Sequence, residues 1–213
     1  MAHVVLLGDS IFDNAPYVDA GESVSCCLER KLPLGWRSTL LAIDGSVTLD
    51  VLGQVEQVPR DGTHLFLSVG GNDALQASEY LHRSVSSVEE VMLGFSRIID
   101  DFRGNYVSLV DFLVRRGVPL TLCTIYNPCF ERGEEQTIAV MALMFWNDVI
   151  LQTAIGYGLP VVELRRVFTG PADYANPIEP SGVGADKLAD AILTVVRGHD
   201  FAQVRSSVYG VGG

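Results

Sequence analysis

The chain has 213 residues, a hydrophobic share of 48% and a formal charge of −11. These values fit one large soluble domain with a buried core, and the acidity disfavours nucleic-acid backbones and anionic lipid, leaving small neutral or cationic molecules as easier partners. Cysteines at positions 26, 27, 123 and 129 form neither a C-x-x-C pair nor a dense framework, which predicts reduced thiols and a cytoplasmic setting.

The chain opens on an apolar run, Val4-Val5-Leu6-Leu7, closed by Gly8-Asp9-Ser10. It reads as a buried strand with Ser10 just past its carboxyl end, where open α/β sheets place their chemistry. A serine there is a nucleophile if a base and an oxyanion site lie beside it, and otherwise a cap of the following turn. No basic leader or cleavage site precedes the run, so it is expected to stay in the mature chain. Val24, Cys27, Leu28 and Lys31 mark a helix face that closes at Leu32-Pro33. Residues 37–43 read as a second strand ending in Asp44-Gly45-Ser46, and Thr48, Val51, Leu52 and Val55 restore the helical period. Residues 65–69 make a third strand, with Gly70-Gly71-Asn72-Asp73 at its carboxyl end.

The set Val88, Val91, Met92, Phe95, Ile98, Ile99 and Phe102 continues in phase to Leu113 as one long helix, or as two meeting near Gly104. Residues 118–125 form a fourth strand after Gly117. The next helix carries Ile138, Met141, Ala142, Phe145 and Val149 on one face, which either enters the core or packs on a second copy. Its most apolar stretch, Ile138 to Trp146, is nine residues long, about half of what a bilayer span requires, so no membrane partner is expected. Residues 158–164 read as a short fifth strand and 168–180 as loop. Ser181 then caps a last helix with the stripe Ala185, Leu188, Ala189, Ile192 and Val196, stopped by Gly198. The alternation predicts a single three-layer α/β/α domain over residues 1–198 with a five-stranded parallel sheet, followed by a loosely held tail, 199–213. Without G-x-G-x-x-G, a P-loop, H-E-x-x-H or C-x-x-C, neither a cofactor nor a metal is expected.

Three strand ends thus bring Ser10, Gly45 and Asn72 to one edge of the sheet. The N–H groups of Ser10 and Gly45 and the Asn72 amide would supply three donors to a developing oxyanion. Singly, Gly45 reads equally as a turn former and Asn72 as a cap. At this point the sequence resembles the GDSL-type esterases and lipases, the SGNH hydrolases. Gly8-Asp9-Ser10-Ile11 resembles their first block, whose serine is the nucleophile. Asp44-Gly45-Ser46-Val47-Thr48 resembles the second, whose glycine supplies an oxyanion N–H, and Gly70-Gly71-Asn72-Asp73 the third, whose asparagine supplies the amide. The resemblance implies a flavodoxin-like fold and a small-molecule ester or acyl substrate, with Asp9 and Asp73 in supporting positions.

The family's fourth block, D-x-x-H-P-S-x-x-G, is altered. Here the stretch is Asn176-Pro177-Ile178-Glu179-Pro180-Ser181-Gly182-Val183-Gly184, so Glu179 stands at the histidine position and Asn176 at the aspartate position. His3 and His64 belong to the opposite edge and His199 follows the last helix, leaving His82 as the one histidine able to reach the mouth. Glu179 is the better candidate: burial raises a carboxyl toward the pKa a general base requires, and Asn176 would donate a hydrogen bond to it. Two readings stand. One is a hydrolase in which Ser10 attacks and Glu179 accepts its proton; the other is a catalytically lapsed relative that binds a small molecule or a partner protein. The oligomeric state is left open.

Overall fold

The computed structural model describes residues 1–210. Strands β1 (His3–Gly8), β2 (Arg37–Leu40), β3 (His64–Ser68), β4 (Leu120–Cys123) and β5 (Val161–Val162) are all parallel, with β1 paired on one side to β2 and on the other to β3, then β4, then β5. All six residues of β1 are buried because helices cover both faces of the sheet. Val4 and Leu6 point to one layer, where they meet Val24, Cys27 and Leu28 of helix α1 (Val24–Lys31). Val5 and Leu7 point to the other, where they meet Val51 and Val55 of α2 (Val51–Val55). The strand period of two therefore splits one apolar run into two separate cores.

The third strand leads into α3 (Gly71–Ala77), and α4 (Val88–Val114) then runs unbroken for 27 residues past Gly104. Its first turn is capped by Ser87, whose hydroxyl accepts from the Glu90 N–H at 3.1 Å. α5 (Gly133–Tyr157) runs for 25 residues, through Asn147 and Asp148. By length and composition alone α5 would suit a membrane span, with mean hydropathy 1.6 across its best window. Its second half is instead core: Trp146, Val149, Ile150 and Ala154 are buried, and the Asn147 side chain bonds the N–H and C=O of Ile125 at 2.7 and 2.8 Å. The first half departs from the expected core stripe, since Ile138, Met141 and Phe145 remain exposed.

The short α6 (Leu164–Val167) precedes an antiparallel hairpin, β6 (Tyr174–Asn176) and β7 (Glu179–Pro180), in a stretch expected to be plain loop. Helix α7 (Gly182–Gly198) follows, with the Ser181 hydroxyl accepting from the Gly184 N–H at 3.2 Å, a cap that contributes about 1 kcal/mol. Two expectations need correction. The tail is not loose throughout: β8 (Val208–Tyr209) joins β5 in parallel and makes the sheet six-stranded rather than five-stranded. Val161 N–H donates to the Ser207 carbonyl at 2.8 Å and Glu163 N–H to the Tyr209 carbonyl at 2.7 Å, while His199 bonds the Tyr209 hydroxyl at 3.0 Å. Residues 211–213 of that tail, with Gly212 and Gly213, lie outside the described residues.

Candidate active site

The site is assembled at the carboxyl edge of the sheet from β1, β3, the loop after β2, and the hairpin before α7. Gly8 ends β1 with φ +132°, and a Cβ there would run into the Ser68 carbonyl, so only glycine lets the chain leave the strand at this angle. The buried Gln54 amide clamps that residue from α2, accepting from Gly8 N–H and donating to Gly8 C=O, both at 2.8 Å. Asp9 then donates its N–H to the Ser68 carbonyl at 3.1 Å and accepts from Ile11 N–H at 3.2 Å. Ser10 follows, held on a tight turn.

The Ser10 hydroxyl donates to Glu179 Oε1 at 3.1 Å, and both residues are buried. The second carboxylate oxygen, Oε2, is buried without a hydrogen-bond partner among the described residues. Glu179 is delivered by a hairpin whose carbonyls are individually anchored: Pro177 C=O accepts from Cys129 N–H at 2.8 Å, Ile178 C=O from the Tyr126 hydroxyl, and Pro180 C=O from the Asn14 amide at 3.2 Å. Tyr126 is itself packed between Phe168 and Tyr174, with ring centroids 4.7 and 5.6 Å away. Asn14 and Tyr126 were not legible as site residues, because an asparagine in a polar loop and a tyrosine after a strand have many ordinary uses.

Burial pushes the Glu179 carboxyl up to about 7, opposed by the Ser10 hydrogen bond and reinforced by the nearby negative charge of Asp44. Burial pushes Asp9 further, to about 8, opposed by the Ile11 N–H and reinforced by the charges of Glu179 and Asp73. Burial thus favours the neutral form of both carboxyls. Asp73 is raised by burial against the opposing bonds from Thr48, whose N–H and hydroxyl donate to Asp73 Oδ2 at 3.0 and 3.1 Å.

Those bonds tie the loop after β2 to the start of α3, and the Asn72 amide adds a second tie by donating to the Ser46 carbonyl at 3.0 Å. One proton of that amide is thus engaged and the other is left over. Gly45, at φ +80°, is exposed on the same loop. The N–H groups of Ser10 and Gly45 make no hydrogen bond among the described residues. Two unpaired amides and a half-used carboxamide thus lie on the ends of β1, β2 and β3, and Ser10 and Asn72 line the same cavity.

Asn176 is a correction. It is exposed and its side chain accepts from Ile178 N–H at 3.0 Å, so it shapes the hairpin turn and makes no hydrogen bond to Glu179. His82 lines the same cavity as Ser10 but is exposed and makes no hydrogen bond to it. His3, bonded to Thr39 at 2.8 Å, lies at the opposite edge as expected. Of the arginines near the loops, Arg165 is engaged by Glu163 at 2.6 Å, whereas Arg132 lines the cavity. Among the described residues no cluster of metal-binding side chains occurs.

Beyond Ser10 and Glu179 opens a cavity of about 970 Å³, walled by α3, the residues that follow it, Phe95 of α4 and the first half of α5. Ile138, Ala142 and Trp146 succeed one another along α5 on the cavity side, which accounts for the exposure of Ile138.

A parallel three-layer fold carrying a buried hydroxyl–carboxylate pair and free amides at its carboxyl edge defines a hydrolase-type α/β protein. The chain belongs to the GDSL-like lipase/acylhydrolase family, whose profile matches residues 6–187. The fold is similar to that of an extracellular lipase from Streptomyces rimosus, with TM-score 0.68 and 17% identity over 94% of this chain and 100% of that one. It is similar also to a lipolytic protein of the G-D-S-L family from Veillonella parvula, with TM-score 0.70 and 16% identity over 93% of this chain and 100% of that one. A phospholipase A1 from Streptomyces albidoflavus gives TM-score 0.68 and 16% identity over 93% and 99%. No curated protein matches by sequence.

Proposed function

We propose that the protein is a serine esterase of neutral acyl substrates in which Glu179 replaces the family's histidine base. The observation that carries this reading is the 3.1 Å bond from the Ser10 hydroxyl to the buried Glu179 carboxylate. In the first half-reaction Ser10 Oγ bonds to the acyl carbon as its proton passes to Glu179 Oε1, and the carbonyl oxygen becomes an oxyanion facing Ser10 N–H, Gly45 N–H and the Asn72 amide. Collapse breaks the bond to the alcohol, which leaves with the proton held by Glu179. In the second, water bonds to the acyl carbon, gives a proton to Glu179, and Ser10 departs with that proton as the free acid forms. A carboxylate raised to about 7 suits both directions of transfer near neutral pH.

The likeness in fold to a lipase and a phospholipase A1 supports ester chemistry, and the four free thiols support a reducing, cytoplasmic location. The binding-only reading rests on Asn176, which leaves Glu179 without the orienting partner a histidine base would have. Labelling of wild-type protein by a fluorophosphonate, absent in Ser10→Ala, together with Ser10-dependent turnover of aryl esters, is the expected result. No labelling and no turnover between about pH 4 and 9 would establish the binding-only reading instead.

A further inference from the structure

We infer that the cavity beside Ser10 is an acyl pocket for unbranched chains of about eight to ten carbons, laid along α3 and the first half of α5; this rests on the esterase reading above. The direction follows from proton bookkeeping. The leaving alcohol takes its proton from Glu179 and so lies on the hairpin side, which sends the acyl chain the other way, past Asn72 and down the wall of α3. That wall is apolar: Ala74, Leu75 and Leu81 face the cavity, and Ile138, Ala142 and Trp146 face it from α5.

One observation points to an apolar occupant. Leu75, Leu81 and Ile138 are large apolar side chains that the fold leaves 46%, 43% and 49% exposed on the cavity lip, area that only a bound apolar group removes from water. The length follows from α5. Ile138 and Trp146 are eight positions apart, about 12 Å along a helix at 1.5 Å per residue, which an extended chain of about nine or ten carbons spans. Beyond Ile138 the exposed charges of Arg132, Glu134 and Glu135 begin, and they set the outer limit.

The test uses 4-nitrophenyl esters from acetate to myristate and, in parallel, acetates of alcohols of the same lengths, each with Ser10→Ala as blank. With the aryl alcohol constant, kcat/KM is expected to rise about fourfold per methylene up to about eight to ten carbons and then fall; with acetyl constant, it stays nearly flat. Ala142→Trp should move the preferred acyl length down, and Ile138→Ala, on an exposed site that does not threaten folding, should move it up. Ser10-dependent turnover with acetyl preferred, or a rise along the alcohol series instead, overturns the acyl pocket and leaves the esterase reading intact. Calorimetric titration of Ser10→Ala with 4-nitrophenyl decanoate and acetate separates the remaining cases. Decanoate binding without wild-type turnover retains the pocket and removes the esterase reading, and neither binding nor turnover removes both.

Discussion

Glu179 is a base only when ionised, and its environment decides the pH at which that happens. Burial raises its carboxyl to about 7, so on the proposed mechanism the free enzyme gains its base as pH climbs through that value. Accordingly kcat/KM should increase about tenfold per unit below pH 7 and level off above it. The Asp44 charge contributes to the shift, so Asp44→Asn should move the midpoint to lower pH, whereas Glu179→Gln should lower the plateau by about 10²–10⁴. A pH–rate profile on one aryl ester checks all three. A histidine would show the same ascending limb, but by losing a positive charge. The carboxylate gains a negative one, and nearby anions raise both pKa values, for a histidine by stabilising the protonated cation and for the carboxyl by destabilising the anion.

At the scale of elements, the β6–β7 hairpin decides whether Ser10 has a base at all. Glu179 reaches it because the carbonyls of residues 177, 178 and 180 are each held, by Cys129, Tyr126 and Asn14. Tyr126→Phe keeps the ring packing against Phe168 but leaves the Ile178 carbonyl without its donor, at a cost of about 1–2 kcal/mol in stability. Esterase activity should fall by more than that loss of folded protein explains, with kcat reduced and KM little changed, because the hairpin loosens its hold on Glu179. Chemical denaturation alongside steady-state kinetics measures both. At the family's aspartate position Asn176 is turned outward into its own turn, so what holds Glu179 in place is the set of tertiary anchors on the hairpin carbonyls.

For the whole molecule, two raised carboxyls make stability depend on pH. Asp9 at about 8 and Glu179 at about 7 hold protons in the folded state well above the range near 4 at which an unfolded chain releases them. Their neutral forms favour the fold fully below about pH 4, and that contribution is lost as pH rises through about 7 and 8. Thermal stability should decline across this window. In Asp9→Asn, which retains an oxygen for Ile11 N–H and cannot ionise, the decline should be smaller, as melting curves from pH 5 to about 9 would show. On the proposed mechanism Glu179 links catalysis and folding, since the pH that ionises it also weakens the fold.

Local patterns in the chain determined the layers and the edge at which the chemistry gathers. Gly8-Asp9-Ser10, Asp44-Gly45-Ser46 and Gly70-Gly71-Asn72-Asp73 each follow an apolar run, and parallel strands send such ends to one side. Turn chemistry and hydrophobic period are short-range properties, so residue order carries them. What only the tertiary structure decided was long-range. The Ser10 hydroxyl found Glu179 across 169 positions, Asn176 turned outward, the tail returned as β8, and Ile138 of α5 faced a cavity instead of the core. In each case an apolar or polar side chain has several equally good uses locally, and the packing of distant segments selects among them because burial and hydrogen-bond satisfaction are settled only when the whole chain has closed.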